Sequence, residues 1–287
     1  MARRPPSFDL VVGTLGRVAE PARLLDSLEA QTNRSFRVLV VDQNPDDRLA
    51  SVLAGCKLDI VRITSEPGLS RARNAALPLV TADVVAFPDD DCHYAFSFLE
   101  RVAQRLEERQ DLDGLSFPTA DAEGHLDPGW GHEATLLTPA NVWNRVASAG
   151  LFLRRPLLDS VGRFDEQLGI GGPGPWLSGE ETDYAIRALR AGARILYDST
   201  LTVEHALAAN SGAGLVALGR RDGATVGYLL GKHRYPPRAL GRMLVRPIGG
   251  IGVSLAQLDL DRARFHAATL AGRVRGYFGA RRSNSSA

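Results

Sequence analysis

Residues 83–91 read Asp-Val-Val-Ala-Phe-Pro-Asp-Asp-Asp, a short β-branched apolar run that stops at a proline and three successive carboxylates. The run predicts a buried strand over Asp83–Phe87, closed by Pro88. Three adjacent acidic groups repel one another and cost stability unless something neutralises them. A divalent cation held by oxygen ligands does so, and Mg²⁺ or Mn²⁺ in turn suits diphosphate oxygens. An isolated acidic triplet reads as a solvated turn. At the end of a buried strand, Asp89, Asp90 and Asp91 read as a site.

The stretch upstream repeats the same alternation. Phe8–Val12 predicts a strand ending at Gly13, and residues 20–31 predict a helix with Leu24, Leu25 and Leu28 facing inward. Phe36–Val41 is a second strand, ending in the turn signal Asp42-Gln43-Asn44-Pro45. A helix near Asp46–Ala54, a strand over Leu58–Ile63, a break at Pro67-Gly68 and a helix over Leu69–Leu77 follow. Strands alternating with helices predict right-handed crossovers, hence an α/β fold with a mostly parallel central sheet. Ligands of such sheets bind beyond the carboxyl ends of the strands. There this chain places Thr14 and Arg17, then Asp42 and Gln43, then the acidic triplet.

Downstream, a helix is expected over Phe96–Glu108, an irregular stretch with Trp130 and Trp143 over 118–145, and a return strand over Ala149–Leu153. A Gly- and Pro-rich loop at 169–179 leads into a helix over Glu180–Ala191. A last strand over Arg194–Tyr197 precedes Val203-Glu204-His205. The loop and helix start, Ser178-Gly179-Glu180-Glu181-Thr182-Asp183, admit two readings. Ser178 with Glu181 three residues on forms a capping box, and Asp183 pairs with Arg187 at i,i+4. Alternatively the loop is an active-site lid, and a carboxylate at its end is a general base. Arg71 and Asn74 share a face near a helix N-terminus and could reach a phosphate. Gly13-Thr14-Leu15-Gly16 is neither a Walker loop nor a dinucleotide fingerprint, which disfavours those cofactors.

Composition sets the outer bounds. The 287 residues are 44% apolar and 23% charged, ordinary for a globular chain. No apolar run reaches the length of a spanning helix, and the start, MARRPPSFDLVVG, does not read as a secretory signal. Two cysteines without a pairing motif suggest a reducing, cytoplasmic setting. The formal net charge of +1 hides a segregation: residues 1–219 carry 21 Lys and Arg against 30 Asp and Glu, and residues 220–287 carry 13 against 3.

In order and spacing, VVGTLGR, VLVVDQN, PGLSRARNAA, VVAFPDDD, FDEQLG and SGEETDYAIRALRAG resemble the family 2 glycosyltransferases. The likeness covers roughly residues 8–210. It implies a GT-A fold, a nucleotide-sugar donor (UDP-, GDP- or dTDP-linked), a saccharide or lipid-linked acceptor, and inversion at the anomeric carbon. It implies further that Thr14, Arg17, Asp42 and Gln43 line the nucleotide pocket and that Arg71 and Asn74 lie near the diphosphate. Asp89 and Asp91 match the D-x-D motif, Asp91 as metal ligand and Asp89 nearer the ribose, with Asp90 between them in the donor site. His205 matches a position that completes the Mn²⁺ or Mg²⁺ site in some members. Glu180-Glu181 matches the family's E-D pair, whose second carboxylate is the base. Glutamate in place of aspartate leaves both Glu181 and Glu180 as candidates. Trp176 and Asp183 fall where such enzymes contact sugar.

The expected organisation is a transferase domain over 1–210, with a donor half at about 8–92 and an acceptor half at about 93–210, and a basic helical extension over 211–287. In that extension Arg262, Arg264, Arg273 and Arg275 accompany Phe265, Leu270, Val274, Tyr277 and Phe278 at roughly helical spacing, which suits an anionic membrane surface, packing against the acidic body, or dimerisation. A sugar nucleotidyltransferase would carry a lysine-containing glycine-rich signature near the start, and no lysine precedes Lys57. An inactive sugar-nucleotide-binding module would not need the carboxylate pair. No nucleic-acid motif accompanies the basic tail.

Overall fold

The computed structural model describes residues 4–126, 129–205 and 212–283. The expected boundary at 210/211 lies outside the described residues. The chain forms two compact units, Met1–Asp165 with Glu181–Leu207 and Glu166–Glu180 with Ala208–Ala287.

The first unit opens with β1 (Phe8–Thr14), α1 (Ala19–Glu29), β2 (Phe36–Asp42), α2 (Ala50–Gly55), β3 (Ile60–Thr64), α3 (Leu69–Ala76) and β4 (Val84–Ala86). It continues through β5 (Cys92–His93), α4 (Phe98–Glu108), β6 (Gly114–Ser116), β7 (Thr119–Ala120), β8 (Thr135–Leu136), β9 (Leu151–Arg154) and α5 (Pro156–Val161). Then come α6 (Glu180–Arg190), β10 (Ile195–Tyr197) and β11 (Val203–His205). The large sheet has the order β3-β2-β1-β4-β9-β6-β10-β8, and β5-β11-β7 form a small second sheet. The four strands β3, β2, β1 and β4 pair in parallel, as the βα alternation requires. Beyond them β9 runs antiparallel to both β4 and β6.

Six of the seven β1 residues are buried, so it reads as one continuous apolar run rather than an alternating one, the mark of a strand covered on both faces. The exception in kind is Asp9, wholly buried within that run. Its carboxylate takes both Arg37 Nε and Nη2, at 2.5 and 3.1 Å, and the backbone N–H groups of Thr81 and Ala82 at 2.7 and 2.9 Å. Leu24, Leu25 and Leu28 of α1 enter the core as predicted, beside Phe98, Phe117 and Phe152. Trp130 lies parallel to Tyr197 at 6.1 Å, the packing fate of a tryptophan.

The second unit contains α7 (Gly212–Lys232), α8 (Pro237–Ala256) and α9 (Leu260–Ser283). Gly219, Gly223, Gly227 and Gly231 of α7 meet Phe265, Thr269, Arg273 and Tyr277 in step, so α7 and α9 run parallel with their backbones nearly touching. A Cβ at Gly276 would stand 1.9 Å from the Ala224 carbonyl oxygen. The loop before α6 also belongs to this unit. It closes on itself through Gly169 N–H to the Trp176 carbonyl at 2.9 Å, and Gly174 passes so near Gln167 that no side chain fits.

Candidate active site

The parallel strands end where the sequence placed its polar residues. A bridge between Gly13 and Asp89 sets the acidic triplet beside the end of β1, and register aligns Thr14 with Asp42 across β1 and β2. Arg17, in the turn after β1, reaches across 73 residues. Its Nη1 lies 2.6 Å from Asp90 Oδ1 and 2.6 Å from Asp91 Oδ2. The small sheet supplies the last partner: β11 pairs antiparallel with β5, aligning His205 with Cys92. His205 Nε2 then lies 3.1 Å from Asp91 Oδ1.

These neighbours separate the triplet electrostatically. The His205 hydrogen bond, then the His205 and Arg17 charges, outweigh burial and hold the Asp91 carboxyl well below the usual carboxylate range. Asp90 moves the other way. Its burial, helped by the Asp91 charge, raises it despite Thr14 and Arg17. Asp89 faces the buried guanidinium of Arg73 at 3.5 Å. Arg73 is itself held by Ser148 at 2.8 Å and by the rings of Phe87 and Phe164 at 5.8 and 5.4 Å. The Thr14 hydroxyl is buried beside Asp90, whose carboxyl it helps to lower, without a hydrogen bond of good geometry among the described residues. Asp90, Asp91, His205 and the Thr14 hydroxyl thus meet at one strand end, with the Arg17 guanidinium bridging the two carboxylates, whereas the three acidic and histidine groups close enough to share one ion among the described residues are Asp121, Glu123 and His125.

Other expected residues stand near these strand ends with their groups already engaged. Asp42 is buried and accepts from Asn44 and from Arg62 at 2.7 Å. The Gln43 amide donates to the Glu66 and Gly68 carbonyls, which pins the loop before α3. Asn74 clasps the backbone of Phe164, donating to its carbonyl at 3.0 Å and accepting from its N–H at 2.8 Å. Arg71 lies half-buried on α3. Sequence reasoning missed Arg62, Arg73 and Ser148. Only Arg73 carried a signal, as the second arginine of the Ser-Arg-Ala-Arg-Asn run.

At the start of α6 the capping box is not made. Ser178 Oγ donates instead toward Asp222 at 3.2 Å and Thr225 at 3.1 Å, and Gly179, at φ +79°, takes the position before the helix. A left-handed backbone there favours glycine and displaces the serine from the cap. Asp183 pairs with Arg187 at 2.9 Å, as the i,i+4 spacing requires. Glu180 is buried and Glu181 half-buried, its Oε1 accepting from the Thr182 hydroxyl at 3.0 Å. Trp176 stacks on Tyr228 at 4.6 Å.

A parallel β-α half with carboxylates, an arginine and a histidine gathered at its strand ends defines an α/β protein with its polar site beyond those ends. Residues 10–156, just over half of the chain, match the family described as Glycosyl transferase family 2, and the chain belongs to that family. It is 28% identical over 224 residues to the pre-mycofactocin glycosyltransferase of Mycobacterium tuberculosis, covering 70% of this chain and 44% of the relative. The chain thus spans less than half the length of that relative. It is 27% identical over 168 residues to the beta-monoglucosyldiacylglycerol synthase of Trichormus variabilis, covering 52% and 35%. Among solved structures, the mannosyltransferase PcManGT from Pyrobaculum calidifontis, in complex with GDP-Man and Mn²⁺, matches with a TM-score of 0.66 over 96% of this chain and 88% of that one, at 16% identity. That likeness shows the GT-A fold.

Proposed function

We propose that the chain is an inverting, divalent-metal-dependent glycosyltransferase that moves a hexose from a nucleoside diphosphate donor to a hydroxyl of a saccharide or lipid-linked acceptor. The observation that carries the reading is Asp91, held ionised between His205 and Arg17 at the carboxyl end of the parallel strands. The GDP-Man and Mn²⁺ in the Pyrobaculum complex, and the UDP-GlcNAc in a complex of S. aureus TarS, support a sugar-nucleotide donor. Residues 1–210 are assigned to the transferase domain and 211–287 to its basic helical extension, in a cytoplasmic protein of polysaccharide or glycolipid synthesis.

Asp91 and His205, with Asp89, would hold Mn²⁺ or Mg²⁺. The cation supplies Lewis-acid stabilisation to a departing nucleoside diphosphate. Thr14 offers its hydroxyl, and Asp42 its carboxylate, to the nucleoside. Arg71 brings positive charge to the diphosphate, where charge develops as the glycosidic bond breaks. Glu181 accepts the proton of the acceptor hydroxyl, and Glu180 is the alternative. The hydroxyl oxygen bonds to the anomeric carbon from the face opposite the diphosphate, which leaves with the bonding electron pair.

Glu181→Gln tests the assignment. Transfer is expected to fall by about 10² or more, while thermal stabilisation by the best of a UDP-, GDP- and dTDP-sugar panel with Mn²⁺ persists. Full transfer by that variant moves the base to Glu180.

A further inference from the structure

Spacing alone suited residues 262–278 to an anionic membrane surface, to packing or to dimerisation, and the structure gives one face of this helix to packing. Phe265, Thr269, Arg273 and Tyr277 of α9 pack against the glycines of α7. Arg273 donates to the Met243 carbonyl, and burial pushes its guanidinium down to about 10, with Arg246 adding repulsion. Arg262 and Arg264 face Asp259 and Asp261 at 3.9 and 3.5 Å. Helix α9 thus packs one stripe against α7 and leaves Arg262, Arg264, Val274, Arg275 and Phe278 exposed.

Most exposed apolar side chains of this unit lie on α8, the turn after it and the first residue of α9, with Val274 and Phe278 exposed further along α9. Val245, Ile248, Val253, Leu255 and Leu260 are each at least half exposed, and Leu258 is 87% exposed. At about 100° per residue, Leu255, Ile248 and Val245 share one arc of α8. Arg238, Arg242 and Arg246, all exposed, fill the adjoining arc at i, i+4 and i+8. Pro247 and Ser254 are buried on the opposite side, which fixes the outward face. None of the three arginines pairs with a carboxylate among the described residues. From Gly223 to Leu258 the chain carries five Lys and Arg and no Asp or Glu.

We propose that this face of α8, with Leu258 and Leu260, lies on the surface of an anionic lipid bilayer. An apolar arc bordered by arginines and lacking acidic groups is the pattern of a helix lying in the headgroup plane, with the leucines in the acyl boundary and the guanidiniums on the phosphates. No helix among the described residues is long and apolar enough to cross a membrane, so the association is peripheral. A second copy fits worse. A two-fold interface would set this face against itself, arginine beside arginine, with no carboxylate between. The inference stands apart from the transfer reaction, although it suits a lipid-linked acceptor.

Vesicle co-sedimentation of the full chain tests it. The chain is expected to pellet with phosphatidylcholine vesicles containing phosphatidylglycerol, not with phosphatidylcholine alone, and to be released by high salt. R238E/R242E/R246E and I248S/L255S should each lower partitioning by about tenfold or more, while R262E/R264E stays within about twofold of the parent. These positions are exposed, and unchanged thermal melts show that the variants fold. Equal pelleting with neutral vesicles, no pelleting with either, or loss confined to R262E/R264E overturns the proposal. So does a concentration-dependent dimer by light scattering that I248S/L255S abolishes while the parent ignores vesicles.

Discussion

The Thr14 hydroxyl is buried at the end of β1 beside Asp90, whose carboxyl it helps to lower, without a hydrogen bond of good geometry. A nucleotide could supply a better-placed partner. Thr14→Val should weaken nucleoside diphosphate binding by about fivefold, as read by calorimetry. Equal affinity would place Thr14 outside the donor pocket. At this scale the sequence showed which groups gather but not which are free. Asp89, Asp90 and Asp91 were legible because three adjacent carboxylates demand an explanation. Gln43 and Asn74 are amides of the right type in the right place, yet both spend their hydrogen bonds on backbone, at Gly68 and Phe164. Arg17 was placed in the pocket, but its pairing with Asp90 and Asp91 depends on two strand ends meeting.

The α7–α9 pair shows what element-level reading can and cannot reach. Arginines and aromatics alternate in α9 without a single polar face, because its contact stripe is made of glycine and backbone, which hydropathy does not register. Its consequence is testable. Gly276→Ala forces a methyl group to within 1.9 Å of the Ala224 carbonyl, and should destabilise the helical unit by about 1–3 kcal/mol in denaturant melts. Gly241→Ala, in α8 with open space around the new methyl, should instead stabilise by about 0.5–1 kcal/mol through helix propensity. Equal effects would mean the close packing does not limit stability. Strands of the first half were readable from their length and β-branched content. Gly114–Ser116 is too short to show a period, and Ser178 lost its capping role to a glycine backbone that no pattern announces.

Across the whole molecule, the near-zero net charge conceals a body stabilised by ionised carboxylates. Burial raises Asp9, Asp42 and Asp198, but hydrogen bonds from backbone, side-chain hydroxyl or amide, and arginine donors outweigh it in each. Asp83 and Asp91 are lowered chiefly by hydrogen bonds from Ser7 and His205. A carboxyl depressed in the folded state adds stability that is complete above its unfolded value, about 4, and vanishes as pH falls through the folded value. Thermal melts should therefore show a steep loss of stability below about pH 4, reduced in Asp9→Asn, which is already destabilised at neutral pH by about 3 kcal/mol or more. A flat profile would show that these pairs only replace hydration. The sheet order carries a last consequence, one of timing. During synthesis β4 emerges with its β1 partner already made, but its other edge is filled by β9, whose residues Leu151–Arg154 follow some 65 positions later. A nascent chain thus carries an open, fully apolar strand edge through the translation of that whole interval, and a stalled or truncated product ending inside it would keep a ready template for pairing with its neighbours.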